Sequence, residues 1–489
     1  MPEKQSNRES KRKAESKQFN YKVLKTAALV LLWVTSGLFI SLAGATLVDF
    51  KQLLHTDFDI LGTVMVLRTV GYVIGCSVAS VLHDKIGIQS ELIVAVAAAV
   101  CSSSNFLKPL SPSVIFFGAV NTAEGFAHSC MNTVNNALIL DLWGRKASMP
   151  LHIFHFGFGL GGFLGPLLTK DYLSIGCPDT ASYNSSADWY LGGDNFSGHD
   201  YDLLKVTCKN STEANPMFLR TPNLEVPFSI VGSLLAIISL VLFTFYFLEK
   251  CSGQFRLSYT KPAKVGTYQT TEKVPKQSIC DFIKSFHFRF VVGLFFVYML
   301  INTFEGVVYN YLFTFAYEGG TGFSKPEAAY LTSAYWGSYT LSRLLASLIA
   351  HFVSVKIMIF VEFVGSLGSL LSMLFLGFSS KVGMWVSACL LGIFSAPIWP
   401  SGLAWADRYV RVKASVVAVT DVGAGIGGSI CMWVAGHLVQ LNRTHVYLCV
   451  ASSGCACAII IVTLLQIYGY RQGDRHAKRK NSACRANAT

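Results

Sequence analysis

Ionisable and amide side chains stand inside long apolar stretches of this 489-residue chain, and their spacing limits the chemistry they can do. Glu124, His128 and Asn132 recur every fourth residue and so share one helical face, which Asn135 and Asn136 extend. Glu305 is followed by Tyr309 and Asn310, one helical turn on. A carboxylate, a phenol and an amide together suit hydroxyl groups or a small cation. Arg68 lies in another apolar stretch and could donate to hydroxyls or tune a nearby acid. Trp336 and Trp399 offer deep aromatic faces, whereas Trp385 and Trp433 read as ordinary interfacial anchors. Each residue also has a plainer reading: a structural ion pair, a buried hydrogen-bond network, or a polar helix contact. A charge at depth in a bilayer costs several kcal/mol unless paired or hydrated, so each one needs a reason.

The elements that must position these residues are membrane helices. Hydrophobic residues make up 52% of the chain and charged residues 14%. Apolar runs near the length that spans a bilayer core fall at roughly 26–48, 60–82, 91–110, 114–140, 150–170, 225–248, 290–317, 328–350, 355–378, 382–405, 414–439 and 445–470. The expected class is an all-α membrane protein with twelve transmembrane helices. The net charge of +12 is no nucleic-acid signature, because Lys and Arg concentrate before the first run, in the middle linker and after the last. An even number of spans puts those three segments on one side, and the positive-inside rule makes it the cytoplasm. Sequons at Asn184, Asn195, Asn210 and Asn442 then fall outside, as glycosylation requires; Asn487 matches in a cytoplasmic tail. Cys177 and Cys208 share the long outer loop, where a disulfide can form. No metal-ligand spacing appears, and no cleavable signal peptide is apparent.

The chain repeats itself. His155-Phe-Gly157-Phe-Gly159-Leu-Gly161-Gly162 and Asp421-Val-Gly423-Ala-Gly425-Ile-Gly427-Gly428 are glycine stripes 266 residues apart. Ala79-Ser-Val-Leu82 and Ala346-Ser-Leu-Ile349 echo each other at 267. Symmetry puts His155 and Asp421 at equivalent places, where they could form a titratable pair or make separate contacts. The organisation read here is a basic tail 1–25, a six-helix bundle 26–248 with outer loop 171–222, a linker 249–284, a second bundle 285–470 and a basic tail 471–489. Such a layout is that of a two-fold transporter with its substrate site between the halves. Glycine stripes on spans five and eleven predict helices packed backbone to backbone.

Further motifs carry a resemblance. Ser80-Val-Leu82-His-Asp84-Lys85-Ile-Gly87, Arg68-Thr-Val-Gly71-Tyr72, Leu138-Ile-Leu-Asp141-Leu-Trp143-Gly144 followed by His155-Phe156, Phe163-Leu-Gly-Pro166-Leu-Leu168, Glu305, Tyr335-Trp336-Gly337 and Pro400-Ser401-Gly402 line up through nearly all spans. On these the chain resembles the major facilitator superfamily, in its sodium-dependent glucose transporter branch related to fucose permeases. The resemblance implies a twelve-helix carrier that moves a hexose by alternating access, with Na⁺ coupling. One departure is Asn132-Thr-Val-Asn-Asn136, where the branch carries D-T-G-G-N, so an amide replaces an acid. Asp421 is an acid the family pattern lacks.

The expectation is therefore a multi-pass, plasma-membrane carrier of a sugar-like solute, facilitative or secondary-active. Substrate would meet Arg68, Glu124, Asn132, Asn136, Glu305, Tyr309, Trp336 and Trp399. Coupling to Na⁺ or H⁺ would depend on Glu124, Glu305, Asp421 or His155, with no other cofactor. No nucleic-acid partner is expected, and the chain reads as a monomer in the lipid bilayer. The rivals are an organic-anion or other polar-solute carrier and a non-transporting receptor on the same scaffold. An enzyme is not expected, since no nucleotide loop, metal set or nucleophile triad is visible.

Overall fold

The computed structural model describes residues 2–143, 148–176, 218–252, 285–350, 352–410, 412, 414–441 and 443–473. Twelve helical spans run back and forth through them: Pro2–Ala45, Phe58–Ser80, Ser90–Leu107, Val114–Trp143, Ser148–Thr169, Glu225–Ser252, Phe286–Glu318, Lys325–Ile349, Val355–Ser372, the broken pair Lys381–Ser395 and Ile398–Ala406, Ala414–Gln440, and Thr444–Gln472. Side chains such as Ile237, Leu240, Phe360, Ile460 and Leu464 cover the outside and are more than half exposed, as a lipid-facing surface demands. Span one continues back through the basic tail. Its Lys25 is fully buried, bonding Glu91 and Glu249 from spans three and six.

Local chemistry sets the helix starts. Ser324 and Glu327 form a capping box at span eight, and the Ser285 hydroxyl accepts the Phe288 N–H at span seven. The long loop between spans five and six has no strand pattern in its sequence. Even so, a short antiparallel ribbon pairs Ile175–Gly176 with Phe218–Arg220 at its ends. Two or three residues are too few to show an alternating pattern.

Spans one and five, two and four, and three and six pack together in the first half. Spans seven and eleven, eight and ten, and nine with ten and twelve do so in the second. Spans two and eleven, five and eight, and one and seven join the halves. The glycine stripes explain two of these contacts within halves and two between them. A methyl at Gly161 would overlap the Val34 carbonyl of span one, and one at Gly427 would overlap the Met299 carbonyl of span seven. On the other face, Gly159 meets Thr340 of span eight, while Gly425 meets Val73 and Thr69 of span two. The partners repeat too, since 340 minus 73 is 267, the offset of the Ala79 and Ala346 echo on the same two spans. Each stripe thus seats its helix on its own half with one face and on the opposite half with the other.

Span ten breaks at two prolines, and span eight repairs the damage. Pro397 and Pro400 have no N–H for the carbonyls of Ile393 and Ala396. Ser342 donates its hydroxyl to the Ile393 carbonyl at 2.5 Å, and Arg343 Nε donates to the Ala396 carbonyl at 3.1 Å. Freed backbone acceptors in a membrane span need such partners.

Candidate functional site

Arg68 of span two and Glu124 of span four meet at 3.2 Å through Nε and Oε1. Gly125 makes this possible, because a side chain there would strike the Arg68 backbone. The Glu124 carboxylate is fully buried, and its second oxygen accepts from Lys108 at 2.6 Å and from Asn105 at 3.4 Å, both on span three. Two cations therefore surround one acid. Glu124 faces protein, and Arg68 is the member of the network that remains 18% exposed. Its Nη2 is buried and has no hydrogen-bond partner. Lys108 and Asn105 were not singled out in the sequence; a lysine inside an apolar run was the readable signal.

Across the interface, Arg68 lies within electrostatic reach of Tyr309 on span seven. The Tyr309 ring sits 5.7 Å from that of Trp336 on span eight. Trp336 is 2% exposed, lies against Gly162 of span five, and has an indole N–H with no acceptor. Glu305 does not bond Tyr309. Its carboxylate accepts from the Tyr339 hydroxyl at 2.6 Å, which in turn accepts from Arg343 at 2.5 Å. Asn310 bonds its own helix at the Gly306 carbonyl. Arg68 thus faces Tyr309 electrostatically, Tyr309 packs on Trp336, and Trp336 packs on the Tyr339 ring whose hydroxyl bonds Glu305.

The polar strip of span four divides among its neighbours. Asn132 donates to the Tyr72 hydroxyl at 2.8 Å, and Asn136 donates to the Asn132 carbonyl at 2.8 Å. His128 is buried among the rings of Trp33, Phe39 and Tyr72, and neither nitrogen is bonded. Asp421 is half-buried on span eleven, within electrostatic reach of Tyr72 and Cys76 of span two and Tyr298 of span seven. His155 packs edge-on to Phe154. Trp399 packs on Tyr298, whose hydroxyl donates to the Trp399 carbonyl at 2.8 Å. Tyr72 also lies within electrostatic reach of Arg68, so Asp421 borders the Arg68 cluster through that tyrosine. Asn184, Asn195, Asn210, Asn442, Cys177 and Cys208 lie outside the described residues.

At the bundle end remote from both termini, polar bridges tie the halves. Asp49, in the short helix Leu47–Leu53 that follows span one, accepts from the Ser174 hydroxyl at 2.8 Å and its N–H at 3.0 Å, and pairs with Lys325 of span eight. Both charges are buried, at 1% and 4% exposure. Around them Lys170 donates to Tyr330 at 2.8 Å, Gln440 to Asp57 at 3.2 Å, and His437 pairs with Asp59 at 2.9 Å. Asp49 reads from the sequence as a structural acid near a span end. Its partner lies 276 residues away and leaves no local trace.

No family model matches the chain. It is 25% identical over 407 residues to the sodium-dependent glucose transporter 1A of Mus musculus, covering 82% of this chain and 86% of that one. It is 23% identical over 498 residues to the major facilitator superfamily domain-containing protein 4A of Homo sapiens, covering 92% and 94%. Among solved structures, the E. coli xylose transporter XylE in a partially occluded inward open conformation superposes with a TM-score of 0.61 at 12% identity, covering 89% of this chain and 97% of that one. The E. coli fucose:proton symporter FucP gives 0.53 at 14%, covering 91% and 99%. The resemblance read from the sequence is borne out: the chain is similar to proteins named sodium-dependent glucose transporters, and its fold is that of the solved major facilitator transporters.

Proposed function

We propose that the chain carries a hexose-like sugar across the plasma membrane, coupled to Na⁺, by exposing one site alternately to each side. The observation that carries this reading is the cluster of Arg68, Tyr309 and Trp336 between the halves, with two buried donors, Arg68 Nη2 and Trp336 Nε1, left unpaired. These residues lie nine to eleven positions from the remote ends of their helices, which is about 15 Å at a helical rise of 1.5 Å per residue. A sugar hydroxyl can accept from either donor, and an aromatic ring can cover a sugar's C–H face. With both termini cytoplasmic, the Asp49–Lys325 bridge closes the extracellular mouth, and the bundles 26–248 and 285–470 rock about the cluster. The relatives named for sodium-dependent glucose transport support both sugar and ion.

The test is uptake of radiolabelled hexose into proteoliposomes with and without an inward Na⁺ gradient. Accumulation that needs the gradient is the expected result; uptake without it would leave a facilitator, and no uptake of any hexose would remove the reading. A second reading has one observation in its favour. Two cations around Glu124 leave that network positive, which suits an organic anion. Competition by an organic acid stronger than competition by a sugar would favour it.

A further inference from the structure

Six acids are buried among the described residues: Asp49, Glu91, Glu124, Glu249, Glu305 and Glu362. Asp49 pairs with Lys325, Glu91 and Glu249 share Lys25, Glu124 has Arg68 and Lys108, and Glu305 reaches Arg343 through Tyr339. Glu362 differs. It is 5% exposed on span nine, and the bond recorded for its carboxylate comes from the Ser401 hydroxyl of span ten, at 2.8 Å to Oε1. Oε2 is buried with no partner. Burying an ionised carboxylate beside one neutral donor is far costlier than a single hydrogen bond returns, so the group requires a positive charge from elsewhere.

Its surroundings allow one. Ser366 and Ser369 continue the same face of span nine, one and two turns on, and both are buried. Tyr298 of span seven stands within electrostatic reach of both Glu362 and Asp421. Cys455 of span twelve donates to the carbonyl of Phe363, next to Glu362 in sequence. Asp421 is half-buried at the contact between the halves, so Tyr298 links an acid at that contact to one enclosed in the second bundle.

We propose that Glu362 is a monovalent-cation site, taking Na⁺ or a proton on its carboxylate with the Ser401 hydroxyl as a neighbouring ligand. This rests on the carrier reading and gives its coupling ion a seat apart from the Arg68 cluster. The test uses the full chain in proteoliposomes, as wild type, Glu362→Gln and Ser401→Ala. Sugar counterflow without a gradient, and accumulation under an inward Na⁺ or an inward proton gradient, are measured for each. Glu362→Gln is expected to keep counterflow while losing gradient-driven accumulation by about tenfold, the scale of a typical coupling between two sites. The gradient that drives the wild type identifies the ion. Ser401→Ala should raise the half-saturating cation concentration severalfold. Accumulation by Glu362→Gln equal to the wild type would overturn the proposal. So would parallel loss of counterflow and accumulation in Glu362→Gln with an unchanged half-saturating cation concentration in Ser401→Ala. Absence of counterflow in the wild type would sink the carrier reading instead. Thermal unfolding of the detergent-purified chain would then decide on Glu362: stabilisation by Na⁺ over choline, or by acid, that Glu362→Gln abolishes supports the site, and stabilisation it retains removes it.

Discussion

Replacing Lys325 by Met leaves Asp49 buried at 1% exposure with only the hydroxyl and N–H of Ser174 and no cation. Breaking one side of a buried pair costs about 3–5 kcal/mol, because the remaining charge is uncompensated. This cost falls on the arrangement in which span eight meets the short helix after span one, so it disfavours the state closed at that end. At about 1.4 kcal/mol per tenfold, the closed-to-open ratio should fall by about two to three and a half orders of magnitude. The double variant Asp49→Asn/Lys325→Met removes both charges and should recover most of that loss. Thr332→Cys serves as reporter. It is buried and lies seven residues beyond Lys325, on the helical face that Trp336 shares. In a background without reactive native cysteines, labelling by a membrane-impermeant maleimide should speed up strongly with Lys325→Met and return toward the parent rate in the double variant. An unchanged rate with Lys325→Met would refute the claim that this pair holds the mouth shut.

Two more expectations follow from packing and charge. Gly161→Ala and Gly427→Ala should each destabilise by about 1–3 kcal/mol, as over-packing against backbone does, whereas Gly368→Ala, with no atom within 4 Å of the added methyl, should be neutral. Thermal unfolding in detergent checks the contrast, and equal midpoints for all three would count against the seams. Lys108→Met should lower that midpoint, by leaving Glu124 with Arg68 as its one remaining cation. Adding Glu124→Gln should restore part of it; a double variant worse than the single one would show that Lys108 acts by some other contact.

Much of the fold was legible because a bilayer leaves few alternatives: an apolar run must be helical, and it must be near twenty residues long. The duplication was legible because glycine at 157, 159, 161 and 162, and again at 423, 425, 427 and 428, has no role in a helix except close approach, and Gly161 and Gly427 meet equivalent carbonyls. What the spacing could not give was the partner on the other helix. Glu124, His128 and Asn132 share a face in sequence, yet the first bonds span three, the second lies among rings of spans one and two, and the third bonds Tyr72. A strip that seems to line one chamber is divided among three neighbours, because a helix face about 100° wide touches more than one helix. Glu305 likewise turned to Tyr339 on another span although Tyr309 was nearer in sequence. For Glu362, nothing on its own helix reveals that Oε2 lacks a partner.

The two halves share a backbone plan and divide the polar work unequally. Glycine pairs at 161 and 427, and at 159 and 425, hold span five and span eleven in matching seats. Smooth seams of this kind oppose a small rotation only weakly. Discrete polar bridges between the halves stand at one end, the buried Asp49 with Lys325 and the exposed Asp59 with His437. In the first half, Glu124 is fixed by two cations and keeps Arg68 pointed toward Tyr309. In the second, Glu362 is held by a serine hydroxyl alone. A carboxylate already matched to fixed cations gains little from a mobile one, whereas a carboxylate without any gains much. On the carrier reading proposed above, the sequence duplication would supply the hinge, and the divergence between the halves would supply a substrate contact at Arg68 on one side and a cation-responsive acid at Glu362 on the other.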